Sequence, residues 1–233
     1  MLLVLVPAGL GIIAGHARVH LPLIGQCHAV ISVRLGADIS VSSDFCSGNI
    51  ELIDVDDYTV RLRIVPEPLT ELEKTRHMQW FAFRSTFRPG AEELELETTD
   101  TVVTYKIDNA GLCSYPSAWD GAEVCVSHDR QNWRRITSTR YDAAHGTLNW
   151  EWRHTASEPA AFFSYFDMYP HQRQLDFVAQ CAATVAPGLK VTSLGQSLDG
   201  RELDVVSVGR GPLQAWVVRH TLVASHCPHP LHP

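Results

Sequence analysis

The sequence has few charged residues, and the charges that it carries are mostly negative. Only 19% of its 233 residues are Asp, Glu, Lys or Arg, and 19 basic residues stand against 26 acidic ones, a formal net charge of -7. Because a surface that binds nucleic acid through phosphates needs a surplus of positive charge, we expect no nucleic-acid partner. Hydrophobic residues make up 45% of the chain, which is typical of a folded globular protein.

The sequence also lacks clustered cysteines and a long apolar run. Its six cysteines contain no C-x-x-C pair and have no regular spacing, so neither a zinc knuckle nor a dense disulfide framework is indicated, and we expect reduced, mostly buried thiols. The apolar run at residues 1–14 is interrupted by one Pro and two Gly and is too short for a membrane span of ~20 residues. We predict no membrane partner and interpret residues 1–37 as an apolar leader, with a weak signal peptide or a mis-assigned start as alternatives.

Familiar catalytic motifs are missing as well. The chain has no G-x-S-x-G nucleophile elbow, no P-loop and no dinucleotide-binding fingerprint. Its one glycine-rich stretch, Gly209-Arg210-Gly211, is followed by Pro212 rather than by a helix, and we interpret it as a loop. No catalytic residue is assigned from motifs.

Short segments with β-branched and aromatic residues at alternate positions begin after residue 37, and this period of two is typical of half-buried strands. The first two segments flank the acidic turn Asp56-Asp57 and predict a hairpin. About nine strands at 8–12-residue spacing predict a mainly β fold, an antiparallel sandwich over residues 38–168. The predicted strands cover residues 49–55, 58–65, 79–84, 93–97, 101–107, 122–127, 132–136, 147–152 and 160–166.

The period changes after residue 168. Apolar residues then recur every three or four positions up to Val185, which predicts a helix that Pro187-Gly188 ends. Strand-like segments follow at 190–194, 203–208 and 213–218, the last of them apolar enough to enter a sheet covered on both faces. We predict that residues 169–219 are the truncated start of an α/β domain and that residues 220–233 are an aberrant tail rich in His and Pro.

Several residues could bind a ligand or a metal, and each has a simpler explanation. The tail residues His226, Cys227, His229 and His232 offer metal ligands, but a Pro-broken tail gives them no fixed geometry, so we expect adventitious binding at most. An acidic turn could bind calcium, although an exposed turn without EF-hand spacing is the commoner case. Aromatic residues could form a sugar or peptide platform but more often fill a sandwich core. The residues concerned are Asp54, Asp56 and Asp57 for calcium and Trp80, Trp150, Trp152, Phe163 and Tyr165 for the platform.

Several segments, taken in order, resemble the cytosolic-type zinc carboxypeptidases. They are Asp44-Phe-Cys-Ser-Gly-Asn-Ile50, Gln79-Trp-Phe-Ala-Phe83, Asn109-Ala-Gly111 with Ser114-Tyr-Pro116, Ala161-Phe-Phe-Ser-Tyr-Phe166 with Tyr169-Pro170, Leu194-Gly-Gln-Ser-Leu-Asp-Gly-Arg-Glu-Leu-Asp204 and Ala215-Trp-Val-Val-Arg219. The resemblance covers roughly residues 38–219. It implies an N-terminal β-sandwich domain followed by an α/β domain that binds zinc and removes C-terminal residues, often glutamates, from proteins or peptides in the cytoplasm.

The chain departs from this family after Arg219. The family continues there with Arg-x-His-Pro-Gly-Glu, whose His and Glu bind zinc, whereas here His220-Thr-Leu-Val-Ala-Ser225 follows. A catalytic zinc needs three protein ligands and a bound water, so we assign no metal, catalytic or cofactor-binding residue, not even His220, and expect no zinc and no activity in this chain. A frameshift or retained intron would explain the departure, and a true truncation is the alternative. The rival function is a non-catalytic β-sandwich module that binds a peptide or a glycan.

Overall fold

The computed structural model describes residues 17–19, 30–33, 38–67, 71–88, 101–155, 157–197 and 200–209. The described part is mainly β. Its strands are β1 Ala17–Val19, β2 Val30–Val33, β3 Asp38–Ser42, β4 Glu51–Asp56, β5 Thr59–Arg63, β6 Ala82–Arg88, β7 Thr101–Ile107, β8 Val124–Ser127, β9 Arg134–Ile136, β10 Arg140–Asp142, β11 Thr147–His154, β12 Ala160–Ser164, β13 Leu189–Gln196 and β14 Glu202–Val208. Its α-helices are α1 Glu71–Thr75 and α2 His171–Ala183, and two 3₁₀ helices are η1 Ala110–Leu112 and η2 Pro116–Trp119.

Two sheets contain the first twelve strands. The first sheet has the order β1-β2-β3-β6-β12-β8-β9, and the second has the order β10-β11-β7-β5-β4. Neighbouring strands are antiparallel except for β5 and β7, which are parallel and pair Thr59 with Thr104. The prediction of a mainly β fold with antiparallel sheets is confirmed, with this one parallel pair as the difference. Parallel neighbouring strands need a long crossover connection, and about 37 residues separate β5 from β7 here. The spacing of apolar residues within one strand cannot reveal such a connection.

Aromatic side chains from both sheets fill the space between them. Phe83 of β6 and Phe163 of β12 contact Tyr105 of β7, with ring centroids 5.9 and 4.7 Å apart. Trp150 of β11 stacks on Phe81, at 5.9 Å and an interplanar angle of 15°. All five side chains are at most 1% exposed. Burying such large apolar groups is the main favourable term that holds the two sheets together.

The predicted hairpin around Asp56-Asp57 is confirmed as β4 and β5, which are antiparallel with a register shift between Leu52 and Asp54. The predicted strand at 101–107 is found with the same bounds as β7. The strand predicted at 79–84 lies instead at 82–88, because regular pairing with β12 begins at Ala82, opposite Ser164. Ala82 also forms an isolated bridge to Asn49. The predicted strands at 93–97 and 213–218 lie outside the described residues.

Four strands were not predicted. β3 pairs with β6, and β10 has only three residues, too few to show a period of two. Strands β1 and β2 fall within the segment interpreted as a leader; β1 pairs with β2, and β2 pairs with β3.

The described part from residue 171 onward forms a helix and a hairpin. α2 begins after Pro170, whose extended backbone precedes the first turn, and it ends at Ala183, close to the predicted bounds. β13 and β14 form an antiparallel two-stranded sheet. No described residue between 171 and 209 is buried. Among the described residues, no helix combines the length and the hydrophobicity that crossing a membrane requires.

Candidate functional site

The motif residues 44–50 form a loop whose side chains and backbone are used for folding. Asn49 donates its side-chain amide to the carbonyl oxygens of Val65, at 3.0 Å, and Trp80, at 3.1 Å. A Cβ on Gly48 would overlap the backbone carbonyl of Ser43, so only glycine fits. These contacts tie the loop to two other segments of the sandwich, so neither Asn49 nor Gly48 is available to bind a ligand.

Arg130 closes the same loop from outside. Its guanidinium lies over the ring of Phe45, 4.9 Å from the centroid, and over that of Phe162 at 5.7 Å. It also donates a hydrogen bond of 3.3 Å to the carbonyl oxygen of Cys46. The Arg130 guanidinium therefore contacts two aromatic rings and a backbone carbonyl, and we assign it a structural role as a cation–π contact.

Asn109 fixes the segment that precedes η1. Its amide nitrogen donates to the Ile64 carbonyl at 2.8 Å, and its oxygen accepts from the Ile64 backbone N–H at 2.9 Å. The neighbouring Gly111 donates its N–H to the carbonyl of Gly146, and a Cβ there would lie 2.7 Å from the Gly146 Cα. The two Asn109–Ile64 hydrogen bonds and the close approach of Gly111 to Gly146 explain why an amide and a glycine occur in this motif.

A buried polar cluster joins the two sheets. The Tyr105 hydroxyl lies 2.8 Å from the Ser85 hydroxyl of β6 and 2.8 Å from His154 Nε2 of β11. None of the three residues is solvent-exposed, and burial raises the pKa of Tyr105 and lowers the pKa of His154 to about 4. The imidazole is therefore neutral at pH 7. A Ser, a Tyr and a His this close could move a proton, but a substrate cannot reach them, so we assign the cluster to structure.

A second Ser–His pair lies at the surface. Ser114 Oγ is 2.6 Å from His77 Nδ1, and it accepts a hydrogen bond of 3.2 Å from the Met78 backbone N–H. A nucleophilic serine needs a base that a third group orients. Among the described residues, no carboxylate pairs with His77, so the pair does not form a catalytic triad in this part of the chain.

The acidic turn does not gather ligands for calcium. Asp54 pairs with Arg61 at 3.4 Å, and the same guanidinium donates to Asp108. In the described part of the chain, no group of three or more His, Cys, Asp or Glu side chains could hold a metal ion. His220, His226, Cys227, His229 and His232 lie outside the described residues.

The aromatic residues considered as a platform belong mostly to the core. Trp150 and Phe163 are buried, while Trp152 and Tyr165 are partly buried and pack against the core. Trp80 is partly exposed and supplies its carbonyl to Asn49. The alternative of an exposed binding platform therefore has little support from these side chains.

The four described cysteines form no disulfide. Cys113 and Cys125 are buried, and Cys46 and Cys181 are partly exposed. Burial raises the pKa of Cys113 to about 12 and also raises the pKa of Cys125. These two thiols are protonated and unreactive at neutral pH.

Residues 41–166 match the family model described as the cytosolic carboxypeptidase N-terminal domain. An uncharacterised protein of Zymomonas mobilis is 31% identical over 180 residues, which cover 77% of this chain and 42% of that protein. A metallo-carboxypeptidase from Pseudomonas aeruginosa, solved in complex with (2-guanidinoethylmercapto)succinic acid, is 30% identical with a TM-score of 0.57 and is matched over 74% of this chain and 40% of its own.

A metallo-carboxypeptidase from Burkholderia cenocepacia is 26% identical with a TM-score of 0.58, over 75% of this chain and 40% of its own. The chain therefore spans about two-fifths of the length of the relatives that it matches.

Proposed function

The chain belongs to the cytosolic carboxypeptidase N-terminal domain family, and we propose that it serves as the N-terminal part of a zinc metallocarboxypeptidase. Such an enzyme would remove C-terminal residues, with glutamates as candidates, from proteins or peptides in the cytoplasm. The sandwich would support the folding of the peptidase domain or shape access to its cleft. The zinc ligands and the general base would come from residues outside the described part.

One observation carries this proposal: the unit formed by α2, β13 and β14 exposes apolar side chains that an isolated sandwich would not need. Phe177 of α2 is 46% exposed, and Leu194, Leu203 and Val208 of the hairpin are 72%, 47% and 81% exposed. Apolar side chains this exposed on one small unit indicate a surface that other structure covers. If this unit is the start of the α/β domain of a metallocarboxypeptidase, the rest of that domain would cover this surface.

Zinc is the metal that the family implies, and the described residues do not fit it. These residues contain no group of three or more His, Cys, Asp or Glu side chains that could hold a metal ion. The buried Ser85–Tyr105–His154 cluster offers one imidazole and no carboxylate. We therefore assign no catalytic step to the described residues.

The proposal can be tested with a chimera. The portion of the Zymomonas mobilis relative outside the matched region would be fused after Gly209, and peptides ending in Glu would be offered with zinc. We expect the chimera to release the terminal residue from a peptide with a free carboxylate and not from the same peptide with an amidated end. Release by the 233-residue chain alone, or a folded, zinc-bound chimera without activity, would contradict the proposal.

The supporting role of the sandwich has its own control. The same portion of the relative, produced without residues 1–209 of this chain, should aggregate or turn over poorly. An isolated peptidase portion that folds and hydrolyses peptides normally would refute a supporting role.

A further inference from the structure

The arginines on the outer faces of the two sheets have different partners. On the second sheet, Arg63 of β5 forms an ion pair of 2.7 Å with Glu51 of β4. On the first sheet, Arg84 and Arg88 of β6 are exposed, and no carboxylate of the described residues forms an ion pair with either guanidinium. The first sheet therefore presents unpaired positive charge on a chain whose formal net charge is -7.

Phe162 lies directly beside Arg84 on this outer face. The two residues are cross-strand partners in the pairing of β12 with β6, and the next pair, Phe83 with Phe163, is buried in the core. Because side chains alternate between the two faces of a sheet, Arg84, Arg88 and Phe162 all lie on the face opposite the core. Side chains directly opposite each other have Cβ atoms about 5 Å apart, so the Phe162 side chain adjoins that of Arg84.

Arg130 brings another positive charge to the same aromatic ring. Its guanidinium lies 5.7 Å from the centroid of Phe162. The adjacent carboxylate of Asp129 accepts hydrogen bonds of 2.8 Å from the backbone N–H groups of Gln131 and Asn132, and it forms no ion pair with Arg130. Positive charge therefore lies on both the β6 side and the β8 side of Phe162.

An extended acidic peptide has the spacing that this face requires. Arg84 and Arg88 are four residues apart on one strand, which places their Cα atoms about 13 Å apart. Acidic residues at positions i and i+4 of an extended peptide lie on one side of it and are also about 13 Å apart. A guanidinium can bind a carboxylate through two parallel hydrogen bonds, which gives each contact a defined geometry. The cluster is small and the chain is acidic overall, which disfavours nucleic acid as the partner.

We propose that Arg84 and Arg88, with Phe162 and Arg130 beside them, bind an extended acidic segment of another polypeptide. These four residues are here called the arginine face. The inference goes beyond the proposed function and does not depend on peptidase activity. The competing occupant is the chain's own acidic segment at residues 92–97, Glu-Glu-Leu-Glu-Leu-Glu, which follows β6 in sequence and lies outside the described residues.

The test measures binding of a short fluorescent peptide to the 233-residue chain by anisotropy, at low and at high salt. The peptide has glutamate at every second position with serine between, and both of its ends are blocked. The variant is Arg84→Gln with Arg88→Gln, and the matched control is Arg61→Gln with Arg63→Gln, which removes the same charge from the outer face of the second sheet. We expect the variant to bind roughly 10-fold more weakly and the control to bind like wild type, with affinity falling as salt rises. The same peptide with glutamine in place of glutamate should not bind.

Several outcomes would overturn the inference. They are equal weakening by both double variants, absence of binding by wild type, equal binding of the glutamine peptide, and tighter binding of an oligonucleotide of the same charge. Binding at least 10-fold tighter after Glu93→Gln, Glu95→Gln and Glu97→Gln together would assign the face to the chain's own acidic segment and also overturn it. Thermal unfolding verifies that every variant is folded, and Arg84→Lys with Arg88→Lys, which keeps the charge, should retain most of the binding. The blocked peptide offers no free C-terminal carboxylate, so none of these results bears on the proposed function.

Discussion

Lowering the pH should weaken the sandwich through His154. This imidazole is fully buried, contacts the Tyr105 hydroxyl at 2.8 Å, and stacks on Phe87 with centroids 5.9 Å apart. Burial lowers its pKa from 6.5 to about 4, with nearby His128 contributing in the same direction. His128 donates a hydrogen bond from Nδ1 to the Ala160 carbonyl oxygen at 2.9 Å, and its Nε2 lies 3.5 Å from a Glu158 carboxylate oxygen.

The sign follows from comparing proton uptake in the two states. Because the pKa of His154 is lower in the folded protein, the unfolded chain binds the proton first as the pH falls below 6.5. The stability that neutral His154 contributes is therefore complete above this pH and is lost as the pH falls toward 4. Evaluating the two titrations gives a loss of about 2 kcal/mol in the free energy of unfolding at pH 5 and about 3 kcal/mol at pH 4.

The assay is urea unfolding at pH 7.5 and pH 5, followed by tryptophan fluorescence, in wild type and His154→Gln. Glutamine can donate a hydrogen bond but does not titrate, so the difference between the two pH effects isolates this residue from the carboxylates. We expect wild type to lose about 2 kcal/mol more than the variant. His145→Gln, at an imidazole whose side chain is 77% exposed, should behave like wild type. Equal pH effects in wild type and His154→Gln would refute the reasoning.

Three further predictions concern a tightly packed glycine, a buried hydroxyl and a buried thiol. Gly48→Ala should destabilise the fold by about 3 kcal/mol in urea unfolding, because its methyl group would overlap a backbone carbonyl. Gly121→Ala should cost only about 1 kcal/mol, because Gly121 has a φ of 69° but open space around it. Equal losses in the two variants would contradict this prediction. Tyr105→Phe should cost about 2 kcal/mol, since it leaves a buried hydroxyl and an imidazole without their partner; a neutral effect in the same assay would show that water replaces the hydroxyl. In the folded chain, iodoacetamide should alkylate Cys113 far more slowly than Cys181, as followed by peptide mapping, because Cys113 is buried. In urea the two cysteines should react at the same rate. Fast labelling of Cys113 in the folded chain would contradict its burial.

The contacts around Ser114 and Tyr115 illustrate what the motifs could and could not reveal. Ser114 and Tyr115 belong to a quoted motif, but His77 and Gln79 lie about 36 residues earlier, and only folding brings them together. The exposure of Leu112 has no signal in the sequence, since a leucine in a strand-rich segment is ordinarily expected in the core. The motif therefore marked the loop but not the distant contacts that fix it.

The sequence by itself determined the elements whose signal is local. The alternation in residues 101–107 and the three-to-four-residue spacing after residue 169 depend only on near neighbours along the chain, and β7 and α2 match those predictions closely. The order of the motifs likewise indicated the carboxypeptidase family.

The tertiary structure decided which distant segments meet. Ser85, Tyr105 and His154 come from three strands and form one cluster only because β6 faces β7 and β11 across the core. The parallel pairing of β5 with β7 depends on how the intervening chain crosses the sandwich. Side-chain periods encode which face of a strand is buried, but they carry no information about its neighbour, so packing of the two sheets had to supply it.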